Sequence, residues 1–500
     1  MSHLTTLAVQ STLLLGTLLA VYTVSRLIYN VFLHPLRKFP GPLLAGATVL
    51  VYHRQSLKGK LPFWIKDLHQ KYGLIVRFAP NEISTIEPQA WKDIYSHRAT
   101  AWTKDKGFYG KDIYGDPPGL IRADNAAHGR QRKLVSHAFS DKALREQETI
   151  LKGYVMLLIR KLKESAAENN GKVNLVDWYN FTTFDIMADL TFGESLELLY
   201  GSSYSPWVKA LFDNIKLVQL MSVLRQYPPL TGLLNMLIPA HIKEKRQTVI
   251  MHSVDKVQKR LQRQTSRPDI WSYILRHSST AEFQGKGLHP TEMKSNGSLF
   301  MLAGTETTAT ELSGLSYYLL HDKQRYTRLT TEIRTAFPRY EDMSMHTLAD
   351  LKYLNACIDE GLRMYPPVSQ GLPRTAPPGG AQVGSHFIPG GANVQVAQLA
   401  AYHSPLHWKN PERFVPERWM EEGEGEYGGD RRDVWNPFSY GPRNCLGKNL
   451  AYHEMRLVLA SVLWYYDLEM CEESEGWLEQ DVYLLWCKGS LMVRLRPIRD

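Results

Sequence analysis

The sequence predicts a mainly α-helical protein with a small β portion, in which one large domain follows a single N-terminal transmembrane helix. Three observations support this fold class. An uncharged apolar run covers residues 4–24, apolar residues recur at helical spacing through most of the chain, and only a few short segments alternate as strands do. Because no internal repeat, low-complexity block or second linker interrupts the rest, residues 33–500 are expected to form one domain.

The N-terminal run, LTTLAVQSTLLLGTLLAVYTV, is long enough to cross the hydrocarbon core of a bilayer at about 1.5 Å per residue. Arg26, Arg37 and Lys38 follow it, whereas only His3 precedes it. The positive-inside rule therefore places the body of the protein in the cytosol. We expect residues 1–32 to form a membrane anchor, and the Pro-rich stretch that comes next to form a stiff linker.

Patterns within the body predict its elements in chain order. Residues 74–86 alternate between apolar and polar side chains around a Pro-Asn pair, which predicts a β-hairpin. Helical spacing predicts helices in four segments, 142–165, 174–190, 292–320 and 353–367. The last of these helices should stop before two prolines. The apolar piece 228–239 is bounded by prolines and too short to span a bilayer, so either a dip into the membrane face or a place in the core is expected.

Charge and cysteine content limit the classes of partner. The net charge is +9, yet Lys and Arg are scattered rather than grouped into a nucleic-acid-binding arm. A basic face towards anionic lipid or an acidic protein fits better, and no nucleic acid partner is expected. The four cysteines include no C-x-x-C pair, which argues against a disulfide framework and against a zinc site.

One cysteine, Cys445, lies where a loop becomes a helix, in PFSYGPRNCLGKNLAYHEMR. Unpaired backbone N–H groups at a helix start lower the pKa of a thiol and favour the thiolate. Gly441 and Gly447 leave room beside the sulfur for a flat ligand, and Arg443 is placed to meet a carboxylate of that ligand. Because a thiolate that binds haem iron promotes cleavage of the O–O bond, these features predict an axial-ligand loop for haem.

The pattern F-x-x-G-x-R-x-C-x-G, from Phe438 to Gly447, resembles the haem-binding loop of the cytochrome P450 superfamily. Three more motifs occur in the order of that family, and the similarity covers essentially the whole chain. The resemblance implies a P450-type fold and a haem b cofactor with Cys445 as its axial thiolate. Details such as SHAFSDKALREQE are similar to fungal microsomal members, which implies the endoplasmic reticulum membrane with a cytosolic catalytic domain.

The E-x-x-R motif, Glu360 and Arg363, places opposite charges on one helix face. Apolar neighbours predict that the pair is buried, and a buried pair needs further partners. By resemblance the third member is Arg418, in PERW, whereas Arg413, in PERF, is a competing candidate with a less suitable spacing. We expect the trio Glu360, Arg363 and Arg418 to hold the cysteine loop in place rather than to do chemistry.

The longest predicted helix carries AGTETT at residues 303–308. The resemblance implies that Ala303 and Gly304 face the haem and that Glu306 and Thr307 form a catalytic acid–alcohol pair. A hydroxyl that both donates and accepts, beside a carboxylate that leads to solvent, can deliver the protons that O2 cleavage requires without flooding the site with water.

Members of the family usually have W-x-x-x-R on an earlier helix, with both side chains at a haem propionate. Here the motif reads His128 and Arg132, in HGRQRKLVSHAF, so a histidine replaces the tryptophan. Histidine can still donate to a carboxylate, and the i, i+4 spacing keeps both residues on one helix face. By its position, Arg374, in GLPRTAPP, is a further candidate to meet a propionate.

An apolar pocket with few polar groups implies a lipophilic small-molecule substrate. Its predicted lining comes from segments 108–121, 368–372 and 487–491. A basic patch on the thiolate side of the haem should steer an acidic NADPH-dependent flavoprotein reductase. The members of this patch are Arg130, Lys133, Lys448 and Arg456. No dinucleotide-binding G-x-G-x-x-G occurs, so NADPH is expected to bind that separate reductase.

The motifs together predict a membrane-anchored monooxygenase that inserts one atom of O2 into a C–H or C=C bond of a terpenoid, polyketide or alkaloid. One rival is a thiolate-haem isomerase or dehydratase that works without O2, and the Glu306–Thr307 pair argues against it. The other rival is a non-catalytic membrane carrier of haem or lipid. Such a carrier would need neither a proton relay nor a basic patch that faces a reductase.

Overall fold

The fold is that of a computed structural model, which describes residues 2–97, 101–213, 215–227, 251, 254–263, 265, 267–278 and 287–499. It is mainly helical with small sheets, which confirms the predicted fold class. The predicted apolar piece 228–239 lies outside the described residues.

The α-helices, numbered in chain order, are α1 Ser2–Ile28, α2 Leu43–Ala47, α3 Leu50–Leu57, α4 Leu61–Tyr72, α5 Ala90–Tyr95, α6 Lys106–Tyr109, α7 Asn125–Val135, α8 Asp141–Glu168, α9 Leu175–Phe192, α10 Leu198–Gly201, α11 Pro206–Asp213, α12 Ile215–Leu224, α13 Ile270–Ser278, α14 Pro290–His321, α15 Lys323–Ala336, α16 Met345–Ala349, α17 Lys352–Met364, α18 Gln398–Tyr402, α19 Glu424–Tyr427 and α20 Lys448–Tyr465. The strands are β1 Ile75–Ala79, β2 Glu82–Thr85, β3 Thr103–Lys104, β4 Lys172–Asn174, β5 Arg374–Thr375, β6 Ala381–Val383, β7 His386–Ile388, β8 Asn393–Val396, β9 Tyr466–Met470 and β10 Met492–Pro497.

The N-terminal helix α1 continues directly into a π-helical turn, Tyr29–Leu33. The stretch Thr5–Leu33 is 29 residues long with a mean hydropathy of 1.7, and its apolar window is not buried in the protein. Among the described residues it is the one helix long and apolar enough to cross a membrane. It extends beyond the predicted 4–24 because apolar side chains such as Phe32 continue past Arg26.

The Pro-rich segment after the anchor packs on the body instead of forming a free linker. Pro35–Lys38 is a 3₁₀ turn in which Leu36 is fully buried. Arg77 of β1 donates its backbone N–H to the Pro40 carbonyl at 2.7 Å. A Cβ on Gly41 would lie only 2.1 Å from the Arg77 carbonyl oxygen, so glycine allows this close approach.

The predicted hairpin at 74–86 is formed by β1 and β2, with Ile75 opposite Thr85. These strands belong to a five-stranded sheet of order β1-β2-β8-β5-β3. In it β2 and β8, which lie far apart in sequence, run parallel. At one edge β3 pairs with β5, so that Lys104 stands opposite Arg374. A second sheet, β4-β10-β9, and the hairpin β6-β7 are the other sheets of the described chain.

The longest described helix, α14, runs through the core beside α9, and both helices are largely buried. A capping box between His289 and Glu292, with Pro290 in the first turn, fixes its start. A Cβ on Gly304 would lie 2.7 Å from Met187 Sδ on α9, so glycine lets the two helices approach closely. Helix α14 therefore carries AGTETT into the interior.

Two further helices position the remaining motifs. Helix α17 ends at Met364, before Pro366 and Pro367, as its sequence predicts. Helix α20 begins at Lys448, directly after the cysteine loop. Both pack against α14, so the E-x-x-R, AGTETT and cysteine motifs lie in one interior region.

Candidate functional site

The cysteine loop is a 3₁₀ turn, Gly441–Arg443, followed by Cys445 and the start of α20. The Cys445 N–H donates to the Phe438 carbonyl at 2.8 Å, which closes the loop. The Cys445 side chain is exposed although protein atoms surround it.

The environment of Cys445 opposes ionisation of the free thiol. Burial raises its pKa, and the Gly447 N–H and the charges of Arg132 and Lys448 act in the opposite direction without overcoming it. The sequence predicts a lowered pKa from the helix start, and for the free thiol that prediction is wrong because desolvation is the larger effect. A metal that binds a thiol deprotonates it outright, so coordination would supply the thiolate.

The two glycines of the loop serve different purposes. Gly441 has φ +73°, and a Cβ there would lie 2.0 Å from the Tyr95 carbonyl oxygen of α5. It is therefore needed for the turn and for contact with α5, not to leave room for a ligand. A Cβ on Gly447 would meet nothing within 4 Å, which fits the predicted open space beside the sulfur.

One stretch of α14 is open although most of the helix is buried. Leu302 is 42% exposed, Ala303 is exposed, and Thr307, one turn further on, is partly exposed. Thr307 Oγ1 donates to the Ala303 carbonyl at 2.7 Å. Gly304 is predicted to face the haem beside Ala303, but its Cβ direction points at Met187. Ala303 and Thr307 thus mark the open face of the helix.

Glu306, the other half of the predicted acid–alcohol pair, has different partners. Its Oε1 accepts a hydrogen bond from Lys488 Nζ, and Thr310 Oγ1 lies 3.4 Å from the same oxygen. The side chains of Glu306 and Lys488 are only 2% and 3% exposed. In the described part of the chain no direct hydrogen bond joins Glu306 to Thr307.

Four cations surround the predicted propionate ligand His128. We call them the cation cluster: Lys104, Arg132, Arg374 and Arg443. Burial, and then the positive charges of this cluster, lower the pKa of His128 to about 3, so the imidazole is neutral. The cluster brings together three arginines predicted from separate motifs with a lysine, Lys104, that the sequence analysis missed.

Every hydrogen bond from the cation cluster goes to a neutral acceptor in the described chain. These acceptors are the Ala123 carbonyl and Asn125 side chain for Arg443, the Tyr109 hydroxyl and Pro373 carbonyl for Arg374, the Ile121 carbonyl for Lys104, and the Asn444 carbonyl and side chain for Arg132. The buried Nη1 of Arg443 has no partner among the described residues. Arg374 is buried and the other three cations are partly buried, and such charges are costly without a hydrogen-bonded anion, so this arrangement suits a ligand that carries carboxylates.

Arg132 also supports the cysteine loop directly. Its two terminal nitrogens donate to the carbonyl and to the side-chain oxygen of Asn444, both at 2.7 Å. Asn444 immediately precedes Cys445 in the chain. The guanidinium on α7 therefore fixes the backbone that carries the thiol, in addition to its place in the cation cluster.

The E-x-x-R residues and Arg418 form one buried group. Arg363 pairs with both oxygens of Glu360, at 2.9 and 2.8 Å, and Arg418 Nε lies 3.2 Å from Glu360 Oε1. Burial alone would raise the pKa of Glu360, but the two guanidinium charges and the hydrogen bonds outweigh it and lower the pKa. The competing candidate Arg413 is exposed, and only its backbone carbonyl joins the group.

The predicted basic patch is not uniform. Arg130 pairs with the buried carboxylate of Glu292, so its charge is already compensated. Arg456 donates to Asn355 at 2.7 Å. Lys448 is exposed beside the loop, with its ammonium 5.8 Å from the ring centroid of Phe438.

Two of the predicted pocket segments are tied to α14. In segment 108–121, the Tyr114 hydroxyl donates to Ser298 at 2.6 Å, and Ser295 donates to Asp112 at 2.7 Å. In segment 487–491, Lys488 reaches Glu306. Both segments therefore lie against the helix that carries AGTETT.

Comparison with known proteins identifies the family. The profile of the family described as Cytochrome P450 matches residues 40–489. The chain belongs to the cytochrome P450 family. It is 44% identical to the cytochrome P450 monooxygenase efuB of Hormonema carpetanum, over 95% of this chain and 94% of the relative. It is 43% identical to the cytochrome P450 monooxygenase FUM2 of Gibberella moniliformis, over 94% of this chain and 100% of that protein. It is also 43% identical to the cytochrome P450 monooxygenase aclL of Aspergillus oryzae, over 96% of this chain and 97% of that protein.

This P450 is thus an oxidoreductase of the monooxygenase class, and its family uses a haem-thiolate cofactor, O2, a redox partner and small-molecule substrates. The residues present fit such a cofactor. Cys445 offers an accessible thiol, and the cation cluster, whose Arg443 Nη1 has no partner among the described residues, offers charge for two propionates. The one apolar N-terminal helix is consistent with a microsomal P450.

The sequence analysis missed Lys104 of this P450 site, and it placed Lys488 only within the predicted pocket segment 487–491, without its ion pair to Glu306. Lys104 gave no signal, because only the pairing of β3 with β5 brings it beside Arg374. Lys488 gave a weak one: it is the one charged residue in YLLWCKGSL, and an isolated lysine in an apolar stretch often needs a buried partner.

Proposed function

We propose that this P450 hydroxylates or epoxidises a lipophilic small molecule, a terpenoid, polyketide or alkaloid of fungal secondary metabolism. In this proposal residues 1–32 anchor the protein in the endoplasmic reticulum membrane and residues 33–500 form one cytosolic haem-binding domain. Electrons come from a separate NADPH-dependent flavoprotein reductase, and the cofactor is haem b. The observation that carries the proposal is the largely half-buried cation cluster next to the Cys445 loop, which in the described part of the chain donates only to neutral acceptors.

Each loop residue has a distinct task in holding the cofactor. Cys445 would hold the haem iron through its thiolate, and the Phe438 carbonyl closes the loop by accepting the Cys445 N–H. Gly441 sets the turn against α5, and Gly447 leaves open space beside the sulfur. Bound in this way, haem supplies the O2 activation that protein side chains cannot provide.

The propionates would be held by side chains from three parts of the chain. Arg132 and neutral His128 come from α7, Arg374 from β5 and Arg443 from the cysteine loop. Guanidinium groups form charge-assisted hydrogen bonds with carboxylates. Arg443 Nη1, which has no partner among the described residues, can still donate such a bond. His128 donates one ring N–H as a neutral imidazole.

Thr307, on the open face of α14, and the buried Glu306 together manage protons. Thr307 Oγ1 donates to the Ala303 carbonyl, so its lone pairs remain available to accept a proton from water and pass one on. Glu306 holds negative charge in a buried position next to it in sequence. Neither a carrier of haem nor an isomerase that works without O2 requires this arrangement.

Turnover with a reconstituted reductase tests the function. We expect NADPH consumption and oxygenated product from a panel of terpenoids, polyketides and alkaloids, and we expect Thr307→Ala to lower the product formed per NADPH while Thr307→Ser restores it. Conversion that needs neither NADPH nor O2 would establish the isomerase instead. Haem binding without NADPH consumption across the panel would establish the carrier.

A further inference from the structure

A buried ion pair joins the core helix α14 to the C-terminal turn at residues 487–491. Lys488 Nζ donates to Glu306 Oε1, and the two side chains are 3% and 2% exposed. Removing two charges from water carries a large desolvation penalty, and apolar residues of similar size often stabilise a core equally well. The pair is therefore poorly explained by stability alone.

The hydrogen bonds around the pair leave one carboxylate oxygen unused. Lys488 Nζ also donates to Thr310 Oγ1 at 2.7 Å, and Thr310 Oγ1 lies 3.4 Å from Glu306 Oε1. This triangle occupies Oε1 of Glu306. Oε2 is buried and has no partner among the described residues, so the carboxylate is fixed at one oxygen and free at the other.

The free oxygen belongs to a side chain adjacent to Thr307. Successive residues on an α-helix point about 100° apart, so Glu306 and Thr307 do not meet directly. Thr307 Oγ1 accordingly bonds to the Ala303 carbonyl. A proton that passes between the two side chains needs a bridging water, and Oε2 is the atom with the unused capacity to bind one.

We propose that Lys488 is a positioning residue of the proton relay: it keeps Glu306 ionised and fixed through Oε1, so that Oε2 receives protons from solvent and passes them by water to Thr307. The inference rests on the proposed function and adds a residue to it. Each proton that leaves Oε2 is replaced from solvent, the carboxylate is regenerated, and no electron moves through Lys488. Arginine at this position would keep the charge, whereas methionine would remove it and leave a buried carboxylate without a cation.

Infrared difference spectroscopy of the full-length haem-loaded protein tests the charge state of Glu306 without turnover. We expect Lys488→Met to gain the C=O stretch of a protonated carboxyl group, which disappears in the Lys488→Met/Glu306→Gln double variant. Lys488→Arg should show no such band. The control Lys60→Met, which breaks a partly exposed ion pair with Asp481, should also show none.

If folded Lys488→Met showed the same infrared absorption as wild type in the region of the carboxyl C=O stretch, the proposal would be overturned. If that variant does not fold, the infrared difference spectrum between wild type and Glu306→Gln at neutral pH tests the proposal instead. Bands of an ionised carboxylate in wild type would support it, and the C=O band of a protonated carboxyl group would overturn it. A second readout is peroxide released per NADPH with added reductase, which should rise in Lys488→Met and return to the wild-type ratio in Lys488→Arg. A purely structural lysine would lower the amount of folded protein and leave that ratio unchanged.

The CO difference spectrum separates failure of this inference from failure of the proposed function. Wild type and all Lys488 variants should keep the thiolate-type band, because Lys488 does not contact the cysteine loop in the described chain. Absence of that band in wild type would refute the proposed function itself. A normal band with unchanged infrared and peroxide results would refute only the role of Lys488.

Discussion

Replacing Arg418 by methionine tests whether the buried group around Glu360 stabilises the region that carries the cysteine loop. Arg418 is fully buried and donates to Glu360 at 3.2 Å, to the Lys409 carbonyl at 3.1 Å and to Asp430. Methionine keeps much of the volume but leaves two buried carboxylates with less compensation. Breaking a buried ion pair costs about 3–5 kcal/mol of unfolding free energy, and because Glu360 retains Arg363 we expect about 3 kcal/mol.

Urea unfolding of the detergent-solubilised full-length protein, followed by tryptophan fluorescence, measures this loss. The matched control is Arg413→Met, which changes an exposed arginine nearby and should shift the unfolding free energy by no more than about 0.5 kcal/mol. Equal losses in the two variants would refute the assignment of Arg418 to the buried group. So would a loss within about 0.5 kcal/mol for Arg418→Met.

Three further predictions concern the loop and acid stability. Gly441→Ala should abolish haem retention, measured from the absorbance of purified protein. Gly441 has φ +73°, and a Cβ there would lie 2.0 Å from the Tyr95 carbonyl oxygen. The control Gly429→Ala should retain haem, because a Cβ at that position meets nothing within 4 Å. Arg443→Met should speed haem transfer to excess apomyoglobin, because the cation cluster loses a charge; an unchanged rate would remove Arg443 from the propionate site. Since the pKa of Glu360 in the fold lies below its ordinary 4.5, its ionised form stabilises the fold above that pH, and this stability is lost as the pH falls through the folded value. Unfolding free energy measured between pH 6 and 3 should therefore fall less steeply in Glu360→Gln than in wild type, and equal slopes would contradict this.

Features that depend on local sequence could be predicted closely. The Pro-Asn pair between alternating segments gives the turn of the β1–β2 hairpin, and two consecutive prolines end α17 at Met364. The sequence also predicts that Cys445 lies where a loop becomes a helix, and α20 begins at Lys448, directly after that loop. In each case the chemistry lies within a few residues of chain.

Features that depend on long-range packing could not be predicted. The partner of Glu306 is Lys488, which lies far away in sequence and reaches α14 only through the folded C-terminal turn. Gly441 gave no sign that it packs on the Tyr95 carbonyl rather than beside a ligand. The pKa of the Cys445 thiol was predicted with the wrong sign because the helix start is visible in sequence, whereas burial is not.

The difference spectrum of reduced, CO-bound protein tests the central claim most directly, for wild type and Cys445→Ser. A Soret band shifted far to the red in wild type and lost in Cys445→Ser is the result that a thiolate from Cys445 predicts. A histidine-type spectrum, or folded wild-type protein without haem, would contradict it.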